Sequence, residues 1–345
     1  MREISDAWRG SGAYLFMSSG TTGQPKIGLQ PRHQHIPEIL QSWNPTSRTS
    51  GRRFVDFSSG GKAWSANHFF RELCLSKGMI YLHLGNVAND LDLDAIWGRV
   101  LLQSEACVIS GNPTLLEIIA SYVVKLGRDM PTVQAVLWTG EPLKGFHERA
   151  ITRAFPNAEL WSVYGGTEPW VIGFQTPEMP RNQFRALDYQ YVELVDGSLV
   201  VTSLNEAVIN PMLRYKVPDL IEAVDQTADG RILEFKVLGR ADNRIFFDGN
   251  NVSPRAIAQA VRRIRNIEDS QVILRQRDGV VKRIEIRIRP QFGAAEPSHD
   301  DVLKALIEDD VQNDVLREIL SVDSSEPFVI NDRSGKCADY VFLDF

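Results

Sequence analysis

Nine consecutive residues, Ser18-Ser19-Gly20-Thr21-Thr22-Gly23-Gln24-Pro25-Lys26, concentrate hydroxyls, glycines and a lysine directly after the apolar run Ala13-Tyr14-Leu15-Phe16-Met17. The apolar run reads as a strand and the nine residues as a loop built to hold phosphate. Glycines let backbone N–H groups approach an anion closely, and hydroxyls donate further hydrogen bonds. Lys26 adds a mobile positive charge. Such a loop suits a nucleoside triphosphate. It is not a Walker A loop, in which the lysine directly follows the second glycine and precedes Ser or Thr. Here Gln24 and Pro25 intervene, and Ile27 follows Lys26.

Four later segments offer matching chemistry. Tyr164-Gly165-Gly166-Thr167-Glu168 follows an apolar run; read as a turn, it lets Tyr164 stack on a base, its glycines admit a ligand, and Glu168 hold a divalent cation. An ordinary strand-end turn explains it equally well. Asp219, in Arg214-Tyr215-Lys216-Val217-Pro218-Asp219-Leu220, is expected at a loop edge. There it could accept both ribose hydroxyls, or simply be a turn aspartate beside proline. Thr139-Gly140-Glu141-Pro142 offers exposed backbone to a base edge. Arg333-Ser334-Gly335-Lys336 places a lysine on a small turn near the C-terminus.

These residues need elements to position them. Met79–Leu84, Ala106–Ser110, Ala135–Trp138 and Glu159–Val163 read as strands. Helical spacing follows Pro113 and recurs near residues 143–154. Strand-helix alternation implies parallel pairing with helices on the faces. After about residue 185 the pattern becomes antiparallel, with Asp196-Gly197 and Asp229-Gly230 as turn signals. Gly239-Arg240-Ala241-Asp242 reads as a boundary. Beyond it come a helix from Pro254 to about Arg265, two strands flanking Asp278-Gly279, a helix over residues 299–320 and a polar tail. The expected fold is α/β: a large N-terminal domain (residues 1–241) with an antiparallel β section, and a small, mobile α+β C-terminal domain (residues 242–345). The arginines at 262, 263, 265, 275, 277, 283, 287 and 289 read most simply as a solvated face.

Composition narrows the classes. A net charge of −6 argues against nucleic-acid binding. No apolar run is long enough to span a bilayer, and Met1–Gly10 lacks the apolar stretch of a signal peptide. Cys74, Cys107 and Cys337 form no metal or redox spacing, which fits a reduced, cytoplasmic setting.

Taken in order, the five segments resemble the adenylate-forming superfamily of acyl-CoA synthetases, luciferases and peptide-synthetase adenylation domains. Within it, Thr139-Gly140-Glu141-Pro142 and the small size are most similar to phenylacetate-CoA-ligase-like members. The resemblance implies AMP-forming activation of a small, aryl carboxylic acid by ATP, then transfer to a thiol. Ser18, Ser19, Gly20, Thr21, Thr22, Gly23 and Lys26 would hold the phosphates of ATP. Glu168 would hold Mg²⁺, with Thr167 near the α-phosphate. Gly140, Glu141, Pro142, Tyr164, Gly165, Asp219 and Arg240 would meet adenine and ribose. Lys336 would be the catalytic lysine. Asp242 would be the hinge about which the C-terminal domain turns, and Gly249 would line a pantetheine channel. The thiol would be coenzyme A, or the phosphopantetheine of a carrier protein; an amine is the other acceptor. A nucleotide-binding module without catalysis is the non-enzymatic alternative.

The pattern has departures. Only 17 residues precede the phosphate loop, where the family usually carries a substantial subdomain; a homodimer is expected to cover the surface this exposes. Tyr-Lys-Val-Pro precedes Asp219 in place of threonine-glycine, and Ile245–Gly249 replaces a lysine-containing run. For the acid pocket, His83, Trp138 and Trp161 are candidates. Asp90, Asp92 and Asp94 could bind an amino group, or could simply complement a helix dipole.

Overall fold

The computed structural model describes residues 12–17, 27–47, 49–61, 63–86, 98–204, 209–240, 245–247, 250–277, 280–308, 320–330 and 335–344. Two units emerge from its contacts. One comprises Met1–Ala241 with Asp332–Lys336, the other Asp242–Asn331 with Cys337–Phe345.

The first unit opens with an antiparallel hairpin, β1 (Ala13–Met17) and β2 (Ile27–Pro31), followed by helix α1 (Ile36–Ser42). Then come β3 (Arg53–Asp56), α2 (Ala66–Ser76), β4 (Ile80–His83), α3 (Gly98–Gln103), β5 (Val108–Gly111), α4 (Pro113–Lys125), β6 (Ala135–Trp138), α5 (Gly145–Ala154) and β7 (Glu159–Gly166). Strands β4, β3, β5, β6 and β7 lie side by side in that order, all parallel. The winding direction therefore reverses between β3 and β5. Right-handed crossovers then require the helices on either side of the reversal to cover opposite faces. They do: α4 and α5 contribute Leu116, Ile119, Val123 and Ile151 to one core, whereas α1 and α2 contribute Ile39, Phe69, Phe70 and Leu73 to the other.

α4 shows how local sequence sets an element. Asn112 caps it by accepting a hydrogen bond from Leu115 N at 2.9 Å, and Pro113 occupies the first turn, where no N–H is needed.

The sheet continues through β8 (Trp170–Gln175), β9 (Gln183–Ala186), β10 (Gln190–Val195), β11 (Ser198–Ser203), β12 (Tyr215–Gln226) and β13 (Ile232–Arg240). These strands pair antiparallel and complete an eleven-stranded sheet. The β10–β11 hairpin turns at Asp196 and Gly197, whose φ of 50° and 74° match a two-residue primed turn.

Two expectations change here. β7 runs on through Tyr164-Gly165-Gly166, so the site tyrosine stands on a strand and the turn begins only at Thr167. Asp219 is not at a loop edge; it lies within the twelve-residue β12. Proline explains the misreading, because it cannot donate to a ladder and suggests a break. Here Pro218 sits in a bulge: Val200 faces Lys216 and Ser198 faces Leu220, so β12 carries extra residues around Pro218.

The second unit comprises β14 (Ile245–Phe247), β15 (Asn250–Val252), α6 (Pro254–Arg262), β16 (Ile267–Arg277), β17 (Val280–Pro290), α7 (His299–Glu308), β18 (Leu320–Asp323) and β19 (Tyr340–Asp344). Its four-stranded sheet has the order β18-β17-β16-β19. The supposed polar tail is thus a strand, pairing parallel to β16 from Val272↔Tyr340 onward, and Leu320 begins a strand rather than ending a helix. Nor are all the arginines solvated. Arg262 donates to Asp269 and Asp339, and Arg287, 7% exposed, donates to Glu285 and to Pro327 O.

No helix among the described residues is long and apolar enough to cross a membrane.

Candidate active site

Candidate residues Gly140, Glu141, Tyr164, Gly165, Thr167 and Glu168 lie at or just beyond the carboxyl ends of β6 and β7, where open parallel sheets present their loops to ligands. The phosphate-loop residues 18–26 lie outside the described residues, but their anchors do not. Met17 and Ile27 face each other at the last pair of the β1–β2 ladder. The loop's two ends are therefore held side by side by backbone hydrogen bonding. Phe16 stacks on Trp170 at 5.5 Å, tying the hairpin to the strand that follows Glu168. Gly28 brings β2 closer still: a Cβ there would lie 2.1 Å from Thr167 O. Only glycine fits this approach, and it sets the strand leaving the loop directly against the Thr167-Glu168 turn.

That turn is itself held by close backbone packing. A Cβ on Gly165 would meet Trp170 O at 2.0 Å, so the β7–β8 hairpin also needs glycine. Gly165 and Gly166 are exposed, giving a ligand access to backbone. Tyr164, just before them, donates its hydroxyl to Asp219 Oδ2 at 2.5 Å. Its ring packs against Phe184 and Phe235. Asp219 stands opposite Arg240 in the β12–β13 register. The same β12 also serves Glu168: Tyr215, four residues before Asp219, donates its hydroxyl to Glu168 Oε1 at 2.8 Å. The two strands thus serve each other: Tyr164 on β7 orients Asp219 on β12, and Tyr215 on β12 orients Glu168 just beyond β7.

The third part is Thr139-Gly140-Glu141-Pro142, after β6. Thr139 Oγ1 donates to Val163 O at 2.8 Å, fastening the segment to β7. Glu141 turns its carboxylate toward α4, accepting from Thr114 N at 2.7 Å. Gly140 (φ 90°) and Pro142 are exposed. Lys336 comes to this point: a Cβ on Gly140 would lie 2.8 Å from both its Cε and its Nζ. The preceding Gly335 has φ 66° and abuts Leu115 and Asn86. The lysine segment accordingly groups with the first unit, although the residues around it belong to the second.

The acid-pocket candidates do not come together. Trp138 is buried against Phe184 in one core, while Trp161 packs edge-on to Trp43 in the core on the opposite face. His83 ends β4, with Nε2 donating to Ser58 O at 2.8 Å and 4.0 Å from Asp56 Oδ2. Asp90, Asp92, Asp94, Asp242, Gly249, Arg333 and Ser334 lie outside the described residues.

Sequence reasoning missed Gly28, Tyr215 and Asp56. Asp56 is wholly buried at the end of β3, accepting from Ser58 N, Ser58 Oγ, Asn67 Nδ2, Tyr81 OH and Ser110 Oγ. Burial and the adjoining Asp56 push the Tyr81 hydroxyl well above its ordinary pKa, keeping it a donor. Tyr215 lay inside a segment already singled out, but nothing in its spacing revealed a partner 47 residues away.

Comparison with known proteins decides the family. The profile described as "AMP-binding enzyme" matches residues 3–198, more than half of the chain. The chain belongs to the AMP-binding enzyme family. It is 22% identical over 300 residues to a phenylacetate-coenzyme A ligase of Pseudomonas putida, covering 79% of this chain and 65% of that one. It is 28% identical over 131 residues to an indoleacetate–lysine synthetase of Pseudomonas savastanoi, covering 38% of this chain and 32% of the relative. The chain thus spans from about a third to 65% of the length of these relatives. Among solved structures, a 2-hydroxyisobutyryl-CoA ligase in the postadenylation state superposes with a TM-score of 0.63 at 16% identity, covering 96% of this chain and 73% of that one. That likeness concerns the fold: a mixed α/β architecture shared with adenylate-forming enzymes.

Proposed function

We propose that this AMP-binding enzyme condenses a small, aryl carboxylic acid with ATP to an acyl-adenylate, then passes the acyl group to coenzyme A. The observation that carries the reading is the position of Lys336 against Gly140, in the unit where Gly28 meets the Thr167-Glu168 turn.

In the first step a carboxylate oxygen bonds to the α-phosphorus as the bond to pyrophosphate breaks. Both reactants are anions, so the protein's task is positioning and charge neutralisation. Lys336 bridges the carboxylate and the α-phosphate. Residues 18–26, suspended from the β1–β2 ladder, hold the outer phosphates. Asp219, steadied by Tyr164, takes the ribose hydroxyls beside Arg240, and the exposed backbone at Gly140 and Pro142 meets the base. Glu168, a hard oxygen donor oriented by Tyr215, suits Mg²⁺, which when bound neutralises phosphate charge. For the second step, the unit beginning at Asp242 turns about that residue, and Gly249 lines the path of the thiol. A homodimer in the cytoplasm completes the proposal.

An amine acceptor is the second reading, favoured by the likeness to the indoleacetate–lysine synthetase. Transfer to a carrier protein is a variant of the first. ATP–pyrophosphate exchange over aryl, fatty and amino acids tests the first step. Mass spectrometry with coenzyme A, lysine or a phosphopantetheinylated carrier separates the acceptors. ATP binding without exchange for any acid would overturn the enzymatic reading.

A further inference from the structure

A second concentration of donor side chains lies at the other end of β2 from the phosphate loop. Residues 32–35 turn the chain from β2 into α1. There His33, His35 and Glu38 each offer one ligand atom within 4.8 Å of the others. The backbone takes an uncommon form to achieve this, with φ of 51° at Gln34 and 56° at His35. His35 is 1% exposed, so its ring faces the protein interior. His33 Nδ1 accepts a 3.1 Å hydrogen bond from His35 N, a contact that a metal ion bound at this nitrogen would replace. Glu38 Oε2 is buried and meets no hydrogen-bond donor among the described residues. A buried carboxylate oxygen in that condition costs free energy that a cation would recover.

We propose that His33, His35 and Glu38 form a binding site for a divalent transition ion of the zinc type. Two imidazoles and a carboxylate are a donor set that zinc accepts, with a fourth position left for water. The site is separate from Glu168 and its role is structural. Trp170 Nε1 donates to Gln34 O at 2.9 Å, so the turn is fastened to the residue that stacks on Phe16. From the same turn, β2 runs back past Gly28 to the phosphate loop. An ion here ties down the far end of the strand from which that loop hangs.

The test uses the full chain, stripped with a chelator and titrated with Zn²⁺ and, separately, Co²⁺. Expected are roughly one equivalent of zinc by elemental analysis, tetrahedral d–d absorption with cobalt, and a zinc-dependent rise in Tm. His33→Ala removes an exposed ring, and its own metal-free Tm is the baseline for its response to zinc. It should weaken zinc binding roughly tenfold or more and abolish the rise in Tm; Glu38→Gln should do the same. Failure of the wild-type chain to bind zinc would overturn the proposal. So would variants that bind zinc as tightly as the wild-type chain.

Discussion

Asp56 and Asp219 are both carboxyl groups on strands of one sheet, and the molecule treats them oppositely. Asp56, fully buried at the winding reversal between β3 and β5, is surrounded by the donors of four residues: Ser58, Asn67, Tyr81 and Ser110. Asp219 is half-buried, oriented by Tyr164, and stands in a bulge beside Arg240. A carboxyl enclosed by donors cross-links the elements that supply them; one left half-buried on a strand stays within reach of solvent. The same residue type is locked into the architecture in one place and left partly exposed in the other, and its surroundings decide which.

The comparison can be broken at several points. The largest effect is expected in the candidate site, where Lys336→Ala should slow ATP–pyrophosphate exchange by roughly 10²–10³-fold while leaving the urea midpoint in place. Unchanged exchange would remove the catalytic role from Lys336. Asp56→Ala should act in the other direction, lowering unfolding free energy by about 3 kcal/mol because several buried donors lose their acceptor. A urea midpoint equal to that of the wild-type chain would show that the enclosed carboxyl is dispensable. Gly28→Ala lies between the two, since it forces backbone apart at Thr167. It should cost about 1–3 kcal/mol of stability and raise KM for ATP, and normal values of both would contradict the close approach. The smallest effect belongs to Tyr164→Phe. Loss of one hydrogen bond worth about 1 kcal/mol should raise KM for ATP a few-fold, with unfolding free energy changed less than by Asp56→Ala.

Legibility in the sequence varied with the range of the interaction involved. β6 and the β10–β11 hairpin match their expected residues closely, because apolar runs and an Asp-Gly turn are local signals. β12 was misread because Pro218 is a local breaker that a bulge accommodates only in the presence of β11 and β13. β19 was missed because its pairing with β16 spans more than sixty residues of chain. Arg262 and Arg287 read as surface residues until their carboxylate partners were in place. Trp138 and Trp161 seemed eligible for one pocket, yet strand alternation puts them on opposite faces.

By itself, the order of chemical types along this chain determined the family and the α/β class. Those signals are short and local, and they survive in one dimension. Only the tertiary structure decided that Tyr215 serves Glu168, that Gly28 must be glycine because Thr167 lies against it, and that Lys336 reaches Gly140. Each of these depends on atoms from distant segments meeting within a few ångströms, a distance that the covalent chain does not encode locally and that packing alone sets.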